Sequence, residues 1–231
     1  MTDELLSWKE ILLKGHRTFP HVSWAATSRW KPKPSTLFVL WFGLALFGLA
    51  EGMFVAAGIG NSPWVVFAQG LTIKTGIDIG WTTFWTSVVV LLAWIPLRQK
   101  PGLGTISNMI IIAAVLELTV RVLPHSTSLA QSLAMVFTAV LLCGLASALY
   151  LTTRLGPGPR DGLMAALHHR TGIRVSRVRL MIEIVVLSVG WLLGGTVGIG
   201  TIVFAGGIGR SVALWLGIVS RLAPHPDSTR E

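Results

Sequence analysis

The apolar residues of this chain are gathered in long continuous blocks, and polar residues are concentrated at the two ends and between the blocks. A helix needs about 20 mostly apolar residues to cross the hydrocarbon core of a bilayer. Six blocks reach that length or come close to it. We therefore predict six transmembrane helices, at residues 36–58, 79–97, 103–123, 129–153, 178–196 and 199–220.

The composition agrees with an all-α membrane protein. Of 231 residues, 52% are hydrophobic and 13% are charged, and the mean hydropathy is +0.67. A soluble domain of this size cannot bury so much apolar surface. The single Cys143 excludes a disulfide framework and gives no metal-ligand spacing. The polar, basic first 35 residues lack the apolar core of a signal peptide, so we predict that none is cleaved.

The net charge of +9 at pH 7 would suit a nucleic-acid partner, but its distribution indicates a membrane orientation instead. With both termini in the cytoplasm, the outer side keeps only Lys74 and Arg121, and Arg210 falls within the last span. This is the positive-inside pattern of membrane proteins. The cytoplasmic segments then hold sixteen of the nineteen basic residues: Lys9, Lys14, Arg17, Arg29, Lys31, Lys33, Arg98, Lys100, Arg154, Arg160, Arg170, Arg174, Arg177, Arg179, Arg221 and Arg230.

Residues 1–35 form a basic cytoplasmic arm ahead of the first span. Its first part mixes apolar and charged residues in a way that predicts a short amphipathic helix on the inner leaflet, with a loosely ordered tail as an equal alternative. The residues concerned are Leu5, Leu6, Trp8, Ile11 and Leu12, with Glu4, Lys9, Glu10 and Lys14 between them.

The membrane region contains an internal repeat with a constant offset of 96 residues. Each half holds three predicted spans, and two consecutive units with an odd number of spans must have opposite orientations. The first connection, 59–78, is almost uncharged, whereas its counterpart 154–177 is strongly basic. We therefore predict two inverted repeats, 36–123 and 129–220, an architecture of many secondary transporters, followed by a cytoplasmic tail at 221–231. The matching motifs are Gly48–Ala50 with Gly144–Ala146, Gly60 and Pro63 with Gly156 and Pro159, Thr75–Ile77 with Thr171–Ile173, and Gly102–Ile106 with Gly198–Ile202.

These motifs resemble the YczE branch of the YczE/YyaS/YitT family of membrane proteins. The resemblance covers about residues 36–220 and rests on Leu155–Met164, Arg170–Gly172, Arg179 with Glu183, Gly190–Gly195, Gly198–Thr201, Ser62–Trp64, Gln69–Leu71, Trp94–Gln99 and Pro101–Thr105. It implies a bacterial inner-membrane protein and no established substrate. Family members often carry an acidic residue after Pro-Trp in the first half. This chain has Val65 there and keeps an acid, Asp161, only at the matching place.

Two short helices are predicted after the paired glycine and proline motifs, at 63–75 and 159–171. Each is too short to cross a bilayer at about 1.5 Å per residue. Each is either re-entrant, with its N-terminus available to an anion, or an interfacial connector. Arg160 and Asp161 begin the second one, where Arg160 could meet an anion or serve as a topology signal. The Gly102–Thr105 and Gly198–Thr201 motifs each begin a span, and a capping or packing role is favoured over binding.

Ionisable residues inside predicted spans are costly in lipid and point to function. Glu51 has no local partner and is the best candidate for a proton- or cation-responsive group. Two pairs have the spacing of helical ion pairs, Glu117 with Arg121 and Arg179 with Glu183. Glu183 and Arg210 form a further candidate pair across helices.

We therefore expect a secondary transporter of a small solute, with an anion as one candidate. The alternative is a non-transporting scaffold or regulator that acts through its basic cytoplasmic face. No enzyme signature, cofactor motif or metal spacing is found, and the expected partners are the lipid bilayer and a solute, with a homo-oligomer left open. The predicted solute-binding residues are Glu51, Asn61, Pro63, Trp64, Gln69, Pro159, Arg160, Asp161 and Glu183.

Overall fold

A computed structural model describes residues 22–222, so the predicted amphipathic helix and the tail beyond residue 222 lie outside the described residues. The regular elements in this range are α-helices that begin and end close to the predicted boundaries. They are α1 (Pro34–Ala57), α2 (Pro63–Thr75), α3 (Ile79–Leu92), α4 (Trp94–Leu97), α5 (Leu103–Val122), α6 (Leu129–Thr152), α7 (Pro159–Thr171), α8 (Val175–Leu192) and α9 (Ile199–Leu222).

Five segments of the described chain are long and apolar enough to cross a membrane: α1, Ile79–Leu97 across α3 and α4, α5, α6 and α9. Helix α8, which holds the predicted span 178–196, is not among them. It has 18 residues and carries Arg177, Arg179 and Glu183, so it is shorter and more polar than the other five. By length and composition alone, the described chain therefore has one clear span fewer than predicted.

The 96-residue offset of the sequence is repeated in the backbone. Helices α2, α3 and α5 begin 96 residues before α7, α8 and α9. The positive φ angles of the described residues follow the same offset: Gly58 (69°) with Arg154 (58°), Gly60 (119°) with Gly156 (116°), Gly76 (73°) with Gly172 (70°), and Arg98 (53°) with Gly194 (102°). The two halves thus turn at equivalent positions, and we call residues 96 apart repeat mates.

Helices α1 and α6 share the most extensive contact, with α5 packed on α1 and α9 packed on α6. Glycines permit these close approaches. A Cβ atom on Gly48 would lie 2.9 Å from the carbonyl oxygen of Ile112 in α5, and its repeat mate Gly144 lies against Ser211 in α9. Small residues at such crossings let helix backbones pack closely, as in many membrane proteins.

The bundle has two chemically different ends. At one end, Gly104 N–H donates to the Leu155 carbonyl at 2.9 Å and Leu103 N–H to the Arg29 carbonyl at 3.1 Å. At the other end, Gly200 N–H donates to the Ile59 carbonyl at 2.9 Å. The first end holds the basic segments around residues 29–33, 98–100 and 154, and we call it the basic end. We call the second end, which holds Lys74 and the Asp78, Glu117 and Arg121 cluster, the opposite end.

The two Gly-x-Gly-Thr motifs have the predicted capping role. Gly102 N–H donates to Thr105 Oγ1 at 3.1 Å, and Gly198 N–H donates to Thr201 Oγ1 at 3.3 Å. Each threonine sits in the first turn of its helix and satisfies a free backbone donor there. The motifs therefore anchor α5 at the basic end and α9 at the opposite end.

Candidate functional site

The short helices α2 and α7 meet at their N-termini in the centre of the bundle. The Arg160 guanidinium lies 4.8 Å from the centre of a Trp64 ring, a cation–π contact. Ser62 Oγ, just before α2, donates to Glu51 Oε2 at 2.7 Å. Glu51 lies six residues before the end of α1, so the chain returns about 9 Å into the bundle before α2 begins. Pro63 and Pro159, which lack an N–H, occupy the first position of each short helix.

A cavity of about 140 Å³ lies at this meeting point. Residues from both halves of the repeat line this cavity, and many of them are repeat mates of each other. The mated pairs in the wall are Glu51 with Ser147, Ser62 with Gly158, Trp64 with Arg160, Thr83 with Arg179, Ser87 with Glu183, Asn108 with Phe204, and Ile112 with Ile208. The cavity therefore lies where the two halves of the repeat face each other.

Arg160 is the cation of this cavity that forms no ion pair with an acid among the described residues. Within residues 22–222 its guanidinium makes no hydrogen bond or ion pair, and its described contact is with the Trp64 ring. The carboxylates of Glu51 and Asp161 act on Arg160 electrostatically without forming an ion pair with it. A guanidinium offers five N–H donors and suits carboxylates and oxyanions. Arg160 can therefore bind an anion that enters the cavity.

Two of the three acids in the wall are already occupied. Asp161 accepts a hydrogen bond from the Tyr150 hydroxyl. Glu183 accepts from Arg179 Nε at 2.8 Å, which confirms the predicted ion pair four residues apart on α8. The predicted pair of Glu183 with Arg210 is wrong, because Arg210 lies on an exposed face of α9. The other predicted pair, Glu117 with Arg121, is confirmed at 2.5 Å near the opposite end.

Glu51 and Thr83 are two further polar groups of the cavity wall. Both are 2% exposed. Glu51 has Ser62 as its hydrogen-bond partner, and Thr83 Oγ1 has none among the described residues. Buried hydroxyls without a partner are uncommon, because leaving one unpaired costs about 1–3 kcal/mol. The Thr83 hydroxyl is thus a free donor for a ligand beside Arg160.

Four predicted binding residues do not line the cavity. Asn61 Nδ2 donates to Gln69 Oε1 at 2.8 Å, and the same oxygen accepts from Thr196 N–H at 2.8 Å. These bonds tie α2 to the loop before α9. Pro63 and Pro159 start the short helices, and the Pro159 carbonyl accepts from Trp94 Nε1 at 3.0 Å. These four residues therefore support the cavity wall from outside. The other five predicted binding residues form part of the wall itself: Glu51, Trp64, Arg160, Asp161 and Glu183.

Sequence reasoning did not identify Thr83, Ser87, Asn108, Ser147 and Tyr150, which also line the cavity. They are small or polar residues inside apolar helices, where such residues are common. The repeat offset could have found three of them. Thr83 and Ser87 are the mates of Arg179 and Glu183, and Ser147 is the mate of Glu51.

The part of the chain that forms this cavity matches a known protein family. A family model covers residues 34–216 and therefore includes every residue of the cavity wall. The chain belongs to DUF6198, a family of unknown function. The DUF6198 match spans both halves of the repeat and stops within α9. It assigns no activity to the chain.

Curated relatives agree with the predicted resemblance. The chain is 44% identical over 209 residues to an uncharacterized protein of Haemophilus influenzae, covering 90% of this chain and 95% of that protein. It is 31% identical over 178 residues to the uncharacterized membrane protein YczE of Bacillus subtilis, covering 77% and 80%. The uncharacterized protein YyaS of Bacillus subtilis is 24% identical over 183 residues, covering 78% and 91%. No solved structure matches the chain. The YczE-like resemblance is therefore confirmed, and the protein is a membrane protein.

Proposed function

We propose that this DUF6198 member is a secondary transporter that carries a small anionic solute across the bacterial inner membrane. The observation that carries the proposal is the Arg160 guanidinium, which has no ion-pair partner within residues 22–222 and lies in a cavity between the two halves. Binding sites of secondary transporters with internal repeats commonly lie at the interface of the repeats, near the middle of the bilayer. The free N–H groups at the starts of α2 and α7 favour negative charge at the same place.

The proposed architecture has six crossings in two inverted repeats, with α8 as the sixth. Polar residues in transmembrane helices usually face the bundle interior or a cavity. Arg179 and Glu183 of α8 do so, since both line the cavity and pair with each other. Helix α8 can therefore cross the bilayer despite its charges. In this architecture α2 and α7 are re-entrant, entering from opposite sides and meeting at Trp64 and Arg160.

The basic end faces the cytoplasm in this proposal. In a Cys143→Ser background, Lys74→Cys and Arg174→Cys place exposed thiols at the opposite end and the basic end. We expect a membrane-impermeant maleimide to label position 74 in intact spheroplasts and to label position 174 only after lysis. Labelling of position 174 in intact spheroplasts would contradict the orientation.

The cavity volume limits the solute. A cavity of about 150 Å³ is large enough for one benzene molecule, which has six non-hydrogen atoms, and the cavity of this protein is about 140 Å³. We therefore expect an anion of roughly six non-hydrogen atoms or fewer, on the same comparison. Chloride, sulfate, phosphate and lactate fall within this limit and form a suitable panel.

Uptake into proteoliposomes tests the function directly. We expect at least one radiolabelled anion of the panel to enter at least about ten times faster than into protein-free vesicles, because the site supplies a cation and free donors. Radiolabelled choline, a cation, serves as the control and should not be taken up. If none of the four anions enters, the transporter proposal fails. The alternative is then a scaffold whose basic end binds a partner protein. In that case a partner should co-purify with the wild type and be lost from the double variant Arg174→Gln/Arg177→Gln.

A further inference from the structure

Of the three acids in the cavity wall, Glu51 is the one that forms neither an ion pair nor a hydrogen bond with a tyrosine hydroxyl. It is buried six residues before the end of α1, and Ser62 Oγ donates to its Oε2 at 2.7 Å. The helices around it supply a defined set of charged and titratable groups. Helix α7 contributes Arg160 and Asp161, α6 contributes Cys143 and Tyr150, and α8 contributes Arg179 and Glu183.

Of these groups, Arg160 is the one whose positive charge balances the negative charge of Glu51. Asp161 is bonded to Tyr150, and Glu183 is paired with Arg179. The cavity-facing residues of α2, α3, α5 and α9 are neutral: Trp64, Thr83, Ser87, Asn108, Met109, Ile112, Phe204, Ile208 and Val212. The Coulombic attraction between Glu51 and Arg160 acts across the cavity, because the two side chains make no direct ion pair.

A bound anion would therefore compete with Glu51 for Arg160. When Glu51 is ionised, Glu51 and Arg160 together are neutral, and an entering anion meets a carboxylate of its own sign. When Glu51 is protonated, the same two residues carry a net charge of +1 and offer a further O–H donor, while Asp161 and the Arg179–Glu183 pair contribute equally in both states. For charges about 5 Å apart at an effective dielectric constant of about 20, this difference corresponds to on the order of 100-fold in anion affinity.

We propose that Glu51 is the proton site of the carrier, and that a proton and an anion occupy the cavity together. This inference rests on the proposed transport of anions and adds its coupling ion. The proton comes from water on the side of entry and resides on the Glu51 carboxyl while the anion lies between Arg160 and Thr83. Both leave on the other side. A monovalent anion then crosses with no net charge.

The experiment measures anion uptake and internal pH in the same proteoliposomes. Each anion of the panel (chloride, sulfate, phosphate and lactate) is added with and without a gradient that is acidic outside, and trapped pyranine reports protons. We expect the gradient to accelerate wild-type uptake about tenfold and uptake to acidify the interior. In Glu51→Gln, uptake should run at the same rate with and without the gradient and should not acidify the interior, because the amide imitates the protonated carboxyl and carries no exchangeable acid proton. Glu117→Gln, which changes an acid away from the cavity, should keep both effects.

A second variant guards against an effect of Glu51→Gln on folding. Ser147 is the repeat mate of Glu51 and also lines the cavity. The double variant Glu51→Ser/Ser147→Glu moves the carboxyl to the matching position, and we expect it to restore dependence on the gradient. Anion uptake that needs Arg160 but ignores the gradient and carries no protons would overturn the proton site and leave the transporter proposal intact. Absence of any uptake that depends on Arg160 would overturn both.

Discussion

Replacing Arg160 by glutamine is expected to lower the initial rate of anion uptake by about 100-fold, because hydrogen bonds to a charged group contribute about 1.5–3 kcal/mol. Glutamine keeps a shorter, polar side chain but removes the charge on which the site depends. Arg160→Lys keeps the charge and loses the planar fork, so we expect a smaller decrease of about tenfold. Initial uptake rates in proteoliposomes, at equal protein content, measure both effects.

Arg174→Gln is the matched control for this prediction. Arg174 is exposed at the start of α8 and does not line the cavity. We expect its loss to leave the uptake rate within about twofold of the wild type, since exposed charges contribute little to a distant site. If Arg160→Gln transports as fast as Arg174→Gln, the anion does not bind at Arg160, and the cavity is not the transport site.

The largest expected effect on stability is that of Gly162→Ala. Gly162 lies in α7 directly against the indole ring of Trp94, so that an added Cβ atom would overlap the ring. Trp94 cannot easily move away, because it is 1% exposed and its Nε1 donates to the Pro159 carbonyl at 3.0 Å. Overpacking of this kind costs about 1–3 kcal/mol. We expect a decrease of about 5 °C or more in the melting temperature of the detergent-purified protein.

Gly209→Ala provides the comparison for Gly162→Ala. Gly209 is also a helical glycine, but no atom lies within 4 Å of its added Cβ. Alanine favours a helix over glycine by up to about 1 kcal/mol, so this variant should melt at or above the wild-type temperature. A Gly162→Ala protein as stable as Gly209→Ala would show that α7 does not pack against Trp94 as described.

The helices could be predicted because their signals are local. Long apolar blocks mark α1, α5, α6 and α9, and proline followed later by glycine marks both ends of α2 and α7. The predicted span 178–196 falls on α8, which is not among the five clear spans because it carries Arg179 and Glu183, and these are compatible with lipid only if they face a cavity. Whether a charge faces inward depends on the rotation of the helix, which packing decides.

The site was predictable to the extent that its residues are conspicuous. Glu51, Trp64, Arg160, Asp161 and Glu183 are unusual in apolar segments, and the structure brings them together. Thr83 and Asn108 are inconspicuous in sequence, and only their position against the second half reveals them. The pair of Glu183 with Arg210 failed for a related reason. The two residues lie on different helices, and a linear sequence does not tell which sides of those helices meet.

The contact between Trp64 and Arg160 has a consequence for the origin of the site. These two residues are repeat mates, so in a dimer of two identical halves the same position would carry the same residue twice. Two arginines there would repel each other, and two tryptophans would bind no anion. A cation resting on an aromatic ring at this position therefore requires halves that have diverged, and joining them in one gene guarantees that each partner is always made with the other.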